Sequence, residues 1–396
     1  MPENKTTIEE GLEEIFRPDL KSSAPAEAVI TDVKHLASYN WINASAPTIA
    51  VPGCPPKWSP PPGRRKVRRD RGLVYISQND ARHPDSPLEP LFRSLYIEHP
   101  AFDIHSVDIV TDRNNIRKLL WFAEPALCKD FVRGAFTISV DMAAQTAIFS
   151  REGIATNTIS RRSRTSGFGH EFEKAYTTAQ VKDSTGHHRI ISYKLGGLNF
   201  LVRHETDGYV EDLKTKKAKG RKSTETSLSV DVDTLTLGTD STSMHAPSNK
   251  SKLIIKREGR VTPRASTLEI KTRASHNKLR FAAVAAQLWA SQTPKLVSAY
   301  HENGRFSTPS VTDVATAIQD WEKKQQDSIA KFVALINQIL RVTRRWGGSS
   351  TISFDPMKNS IVITKIGRKK LLPDDLYDRW ETTDPANITQ STALHT

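Results

Sequence analysis

LNFLVRHETDGYV, residues 198–210, begins as a strand and ends on two carboxylates. Leu198, Phe200, Leu201 and Val202 crowd apolar, aromatic and β-branched groups together, the composition of a strand over 198–207. Strand side chains alternate between faces, so Glu205 and Asp207 are expected to point the same way. A second stretch, LEIKTR (268–273), repeats the arrangement: Glu269 and Lys271 share one face and leave Leu268 and Ile270 for the core. If the two strands adjoin, three carboxylates converge beside a lysine. Such hard oxygen donors suit Mg²⁺ or Mn²⁺. A cation there would polarise a phosphoryl oxygen and acidify bound water, while the ammonium orients that water or offsets transition-state charge. The residues alone also allow a plainer reading, solvated charges on two strands, because Glu-x-Lys pairs recur by chance.

The rest of the composition narrows the class. A chain of 396 residues, 37% hydrophobic and 26% charged, can bury a substantial core. It contains no apolar run of membrane-spanning length, and the opening MPENKTTIEEGLEEIF is acidic where a secretory or mitochondrial leader is basic. The 2 cysteines, Cys54 and Cys128, build neither a disulfide framework nor a four-cysteine zinc site, which fits a nuclear or cytoplasmic location and leaves the Asn4, Asn43 and Asn387 sequons idle. A net charge of +13 favours a polyanionic partner, nucleic acid first.

Along the chain, residues 1–72 read as a largely irregular N-terminal arm, rich in proline over 45–72 and ending in Arg64, Arg65, Lys66, Arg68, Arg69 and Arg71. Trp41, Ile49 and Trp58 are its candidate anchors. Globular patterning occupies 73–370. GAFTISVD, TAIFSR, HRIISYKL, KLVSAY, TISFD and SIVITKI read as strands, with the last two forming a hairpin. Ile329, Phe332, Val333, Ile336, Ile339 and Leu340 recur at helical spacing, and Gly347 and Gly348 end that helix. Residues of about 211–264 carry too few large apolar groups to offset ordering entropy and read as a disordered insertion. Its KTKKAKGRK is either an import signal or a solvated charge run. Residues 371–396 read as a polar tail.

DIVTDRNNIRKLL (108–120), GFGHEFE (167–173), FLVRHETDGYV (200–210), LEIKT (268–272) and AAQLWASQTPKLVSAYHENGRF (285–306) follow one another in this order. Together they resemble the RNA decapping and 5′–3′ exoribonuclease (DXO-like) family of the PD-(D/E)XK nuclease superfamily, over roughly residues 100–310. The resemblance implies a mixed α/β fold, a nuclease-like core of twisted mixed β-sheets flanked by helices. It implies Mg²⁺ or Mn²⁺ held by Glu173, Glu205, Asp207, Glu269 and the Ile270 carbonyl. It casts Lys271, with Glu269 and Asp207, as catalytic, and places Arg113 and Gln287 on the substrate side. The activity implied is metal-dependent hydrolysis at RNA 5′ ends, with or without 5′–3′ exoribonuclease action, and a 5′–3′ exoribonuclease as partner. Three features depart from the pattern. Asp112 stands where the family has Trp, His204 replaces a Gly, and the insertion separates Asp207 from Glu269. Asp112 and His204 are therefore expected beside the site, with a bearing on which 5′ end is accepted.

Two other readings are open. DDLYD (374–378) matches the aspartate-rich motif of polyprenyl (geranylgeranyl) diphosphate synthases, although those need two such motifs on an all-α bundle. A non-catalytic RNA-binding or exoribonuclease-partner protein on the same fold is the second. His187 and His188, lacking other ligands at metal spacing, read as strand residues.

Overall fold

The unbroken apolar run of Phe200, Leu201 and Val202 suits a strand buried on both faces. In the computed structural model, which describes residues 11–21, 28–128, 134–152, 157–160, 167–211, 243–244, 251–367 and 369–381, Leu198–Glu205 pairs parallel with Ile109–Asp112 and antiparallel with Ser184–Leu195. These belong to a 12-stranded mixed sheet among the described residues. Its two faces bury different cores, as period-two side-chain alternation requires. Phe200 and Val202 pack on one face with Leu119, Trp289, Phe332 and Ile336, from the helices Arg113–Ala123, Ala282–Ser291 and Gln326–Trp346. Leu201 packs on the other with Leu91, Phe92 and Leu95 of the helix Glu89–Glu98. The long helix follows its predicted stripe, with Ile329, Phe332, Val333, Ile336, Ile339 and Leu340 each at most 2% exposed, and Gly347 closes it at φ 61°.

A second sheet stands beside the first. Thr267–Ala274 runs parallel to Lys295–Glu302 and antiparallel to the short strand Gly208–Tyr209. Leu268, Ile270, Val297 and Ala299 face a core with Phe172 and Tyr176 of the helix Gly169–Tyr176 and with Phe306, so the opposite face is left to Glu269 and Lys271. The chain passes from the first sheet to the second between Glu205 and Gly208. Thr206 N–H donates to the His187 carbonyl at 2.9 Å on one side. On the other, Gly208 pairs with Leu268. A Cβ at Gly208 would lie 3.0 Å from the Pro56 carbonyl oxygen, a tight fit that favours glycine at the crossing. Mixed α/β layers with helices on the sheet faces are thus observed, as expected.

Three expectations about chain organisation are corrected. Residues 1–72 are not mainly irregular, because Thr31–Ile42 and Thr48–Gly53 are strands of the large sheet and Trp41 and Ile49 are fully buried. The proline count misled because Pro47, Pro55, Pro56, Pro60, Pro61 and Pro62 lie between the strands and only Pro52 stands within one. The insertion does not extend to 264. Ile254–Gly259 pairs parallel with Thr48–Gly53, and Leu253 and Ile255 are buried. Most of the remainder, KTKKAKGRK included, lies outside the described residues. Finally, residues 371–381 are not a polar tail: Asp374–Glu381 is a helix whose Leu376, Tyr377 and Trp380 complete the second core. DDLYD therefore has a structural role, with Asp375 paired to Arg93 and Asp374 to Lys370. Large mixed sheets overturn the all-α synthase reading.

Trp380 is 6% exposed, meets Phe92 at 5.6 Å between ring centroids and donates from Nε1 to Thr146 Oγ1 at 3.0 Å. Trp380→Ala is expected to lower unfolding free energy by about 3–5 kcal/mol, read by urea denaturation. A loss under ~0.5 kcal/mol would return this segment to the solvent.

Candidate functional site

Glu269 is the centre of the site because three elements bring donors to it. Lying on the inner face of its strand, it is 3% exposed. Lys271 Nζ, two residues on and on the same face, reaches Oε1 at 2.6 Å. Arg113, the first residue of the helix Arg113–Ala123, donates from Nη1 to Oε2 at 3.1 Å. Gln287, on the buried helix Ala282–Ser291 and 8% exposed, donates from Nε2 to Oε1. Burial alone would push the Glu269 carboxyl up, but Lys271 and Arg113 outweigh it and hold the group down at about 2.

The other three carboxylates feel the charge of this hub. Asp207 lies in the crossing between sheets, where Oδ2 accepts from the Ile270 N–H at 2.7 Å. Glu205 ends the strand of the large sheet. The two are therefore not alternate residues of one continuous strand, as the sequence suggested; a change of sheet, rather than pleating, sets their relation. Glu173 projects from the middle of the helix Gly169–Tyr176. Glu173 and Asp207 are half-buried, and Glu205 is open to solvent though densely walled by protein. Desolvation, reinforced by Glu269 and Glu205, pushes the Asp207 carboxyl up to about 8. Desolvation together with Asp207 and Glu205 pushes Glu173 well up, and Glu205 is raised too, with Arg113 opposing.

Four carboxyl groups thus face two cationic side chains, and one divalent cation matches the excess of negative charge. The donors are all oxygen, the chemistry of a Mg²⁺ or Mn²⁺ site. The residues fit such an ion in kind and charge. Among the described residues, however, no three His, Cys, Asp or Glu side chains are gathered to grip one as they stand, and Glu269 has both oxygens engaged by cations or an amide. For Ile270 the observed role is its N–H to Asp207.

The departures at Asp112 and His204 have structural explanations. Arg203, 2% exposed, is paired in register with Asp112 across the parallel strands and donates to it through both Nε (2.7 Å) and Nη2 (2.9 Å). Its Nη1 reaches the Pro87 carbonyl at 2.6 Å and the Tyr39 hydroxyl at 3.2 Å. Asp112 thereby fixes the strand end from which Arg113 starts. His204 is buried, and desolvation with Arg113 and Arg189 lowers it to about 3, so it is neutral. His187 and His188 are buried strand residues held neutral the same way.

One supporting residue escaped the sequence reading. Asp70, inside the basic run RRKVRRDRG, accepts the Glu171 N–H at Oδ1 (3.0 Å) and caps the helix that carries Glu173. A lone acid among six cations was the only signal for it.

Solved structures share this architecture. Rai1 of Scheffersomyces stipitis, in complex with (3′-NADP)+ and calcium ion, superposes with a TM-score of 0.57 at 12% identity, covering 93% of this chain and 97% of that one. Rai1 of S. pombe gives 0.55 at 11%, covering 90% and 99%. Rai1 of Candida albicans, in complex with pU5-Mn2+, gives 0.54 at 10%, covering 93% and 99%. The chain has the Rai1 fold. By sequence it belongs to the family described as Domain of unknown function (DUF8563), whose model matches residues 12–380. No curated protein matches it.

Two outcomes follow from this geometry. A carboxyl that holds its proton more tightly folded than unfolded costs stability as it ionises, so the Asp207 contribution is lost as pH rises from about 4, its unfolded value, through about 8. Glu269 acts oppositely, losing its contribution as pH falls from about 4 towards about 2. In metal-free buffer the melting temperature should decline between pH 5 and 8, and decline less in Asp207→Asn; equal slopes would separate Asp207 from the cluster. Asp112→Ala leaves Arg203 buried without its carboxylate and should cost roughly 3 kcal/mol, measured by denaturant unfolding, whereas Asp112→Asn should lose less.

Proposed function

We propose that this protein is a divalent-metal-dependent hydrolase of RNA 5′ ends, acting on capped, triphosphate or dinucleotide-type termini. The observation that carries the reading is Glu269 held between Lys271, Arg113 and Gln287, with Glu173, Glu205 and Asp207 forming no ion pair among the described residues. Support comes from the Rai1 relatives of this fold, one with pU5 and Mn2+ and another with (3′-NADP)+ and calcium ion, ligands that contain the phosphate ester or pyrophosphate such a site would meet.

In this reading Glu173, Glu205, Asp207 and Glu269 would hold the metal, with the Ile270 carbonyl. When bound, a divalent cation supplies Lewis acidity at the phosphoryl oxygen and an acidified water. Lys271, fixed by Glu269, places an ammonium where charge develops in the transition state. Arg113 meets Glu269 through Nη1, and its guanidinium is the kind of donor suited to paired phosphate oxygens. Gln287 keeps Glu269 from turning away. Asp207 is tied through the Ile270 N–H to the strand of Glu269 and Lys271, so these three groups share one support.

A second reading, a non-catalytic RNA-binding protein or exoribonuclease partner, draws on the carboxylates' failure to close into a ready metal site. One experiment separates them. The protein is incubated with Mg²⁺ or Mn²⁺ and 5′-labelled RNAs carrying triphosphate, unmethylated cap, NAD or monophosphate ends. Hydrolysis of at least one end is expected, and RNA binding without any product supports the second reading. Lys271→Ala should slow single-turnover hydrolysis by about 10²–10⁴-fold with Mn²⁺ binding retained, whereas Asp207→Asn should lose Mn²⁺ affinity by calorimetry. Wild-type rates in Lys271→Ala would remove these residues from catalysis.

A further inference from the structure

The basic run at 64–71 is not a loose appendage. Arg65–Lys66 is an edge strand of the second sheet, antiparallel to Arg305–Phe306. Val67, 6% exposed, packs into the aromatic core and its N–H donates to the Gly304 carbonyl at 2.8 Å. A Cβ at Gly304 would stand 2.7 Å from the Val67 carbonyl oxygen and 2.4 Å from Phe168, so the close approach of the two segments requires glycine. Further on, Arg69 lies over the Phe168 ring at 4.8 Å, and Asp70 N–H donates to the Gly167 carbonyl at 2.9 Å. The run therefore ends fastened to the start of the helix bearing Glu173. Glu171, which Asp70 caps, precedes Glu173 by about 3 Å of helix rise.

This anchoring leaves Arg64, Arg65, Lys66, Arg68, Arg71 and Arg305 exposed along one edge. Lys66 stands directly opposite Arg305, a like-charge cross-strand pair that is unfavourable by itself. The acids nearby are otherwise engaged: Asp70 caps the helix, and Glu302, opposite Arg305 on its other side, accepts from the Ser275 hydroxyl at 3.3 Å. Guanidinium forks suit paired phosphate oxygens, so a cluster of mostly arginine on this short edge strand and the segments flanking it matches a phosphodiester backbone better than a scattered acidic peptide.

We propose that residues 64–71 and Arg305 form a track for the body of a single-stranded RNA, running from the carboxylate cluster along the edge of the second sheet. Its direction relative to the 5′ end rests on the function proposed above; binding itself does not. The track holds RNA through phosphates and is indifferent to base sequence.

The test uses the full chain in EDTA and a fluorescent 5′-hydroxyl oligo(U), which has no terminal phosphate to hydrolyse, with binding followed by anisotropy across a salt series. Changing Arg64, Arg65, Lys66, Arg68 and Arg71 to Gln should weaken binding at least about tenfold at low salt and flatten the log Kd against log salt slope by about 0.7 per lost phosphate contact. Changing the four arginines to Lys should retain the slope, and Lys323→Gln with Lys324→Gln, exposed on a distant helix, should leave it unaltered. If the five-fold variant melts early, Arg64→Gln with Arg71→Gln, both outside the paired strand, gives the same reading with a smaller change. An unchanged slope in a folded variant overturns the track, as does displacement of the RNA by poly-glutamate of equal charge at equal concentration, which would assign the surface to an acidic protein. Failure of 5′-end hydrolysis with intact slope effects would sink the enzymatic reading and leave the track standing.

Discussion

Everything at the site depends on keeping Glu269 ionised inside the protein. A carboxylate at 3% exposure is costly unless paired and hydrogen-bonded, and here one oxygen takes Lys271 and Gln287 while the other takes Arg113. Those donors come from the strand itself, from a helix packed on the large sheet and from the helix that follows one of that sheet's central strands. The ion cluster therefore couples the two sheets. It also concentrates negative charge: burial first, and then the neighbouring carboxylates, make the three remaining carboxyl groups hold their protons more tightly, with Lys271 and Arg113 opposing.

The crossing from Glu205 to Gly208 supplies the other constraint. Because the chain leaves one sheet and enters another within these residues, Asp207 is placed by the Ile270 N–H and not by its own strand. A similar division of labour recurs around the cluster. Asp112 and Arg203 secure the end of a central strand so that Arg113 emerges at a fixed place, and Asp70 ties the edge of the second sheet to the helix of Glu173. Acidic side chains thus serve in two capacities a few residues apart, one set turned toward the site and one toward buried structural partners.

Local pattern made much of this legible. The apolar stripe of Gln326–Trp346, the hairpin before Ile366 and the alternation through Leu198–Glu205 are consequences of side-chain periodicity, which a chain carries whatever its neighbours. Leu268 and Ile270 facing the core, with Glu269 and Lys271 turned the other way, follow from the same period. Proline and polar content, by contrast, gave the wrong impression at 31–53, 251–264 and 371–381. Those segments are ordered by partners far away in sequence: Ile254–Gly259 by Thr48–Gly53, and Trp380 by Phe92 and Thr146.

The sequence by itself determined which residues could do acid and cation chemistry and, for Glu269 and Lys271, which face of their strand they would share, because those follow from residue type and backbone period. Only the tertiary structure decided which of them meet. Arg113 pairs with a carboxylate 156 positions away, and Asp112, expected near the site as a substrate-facing departure, is instead spent on Arg203. Long-range pairing depends on sheet order and register, which no local pattern encodes, and burial then fixes whether each charge is neutralised by a partner or by its own proton.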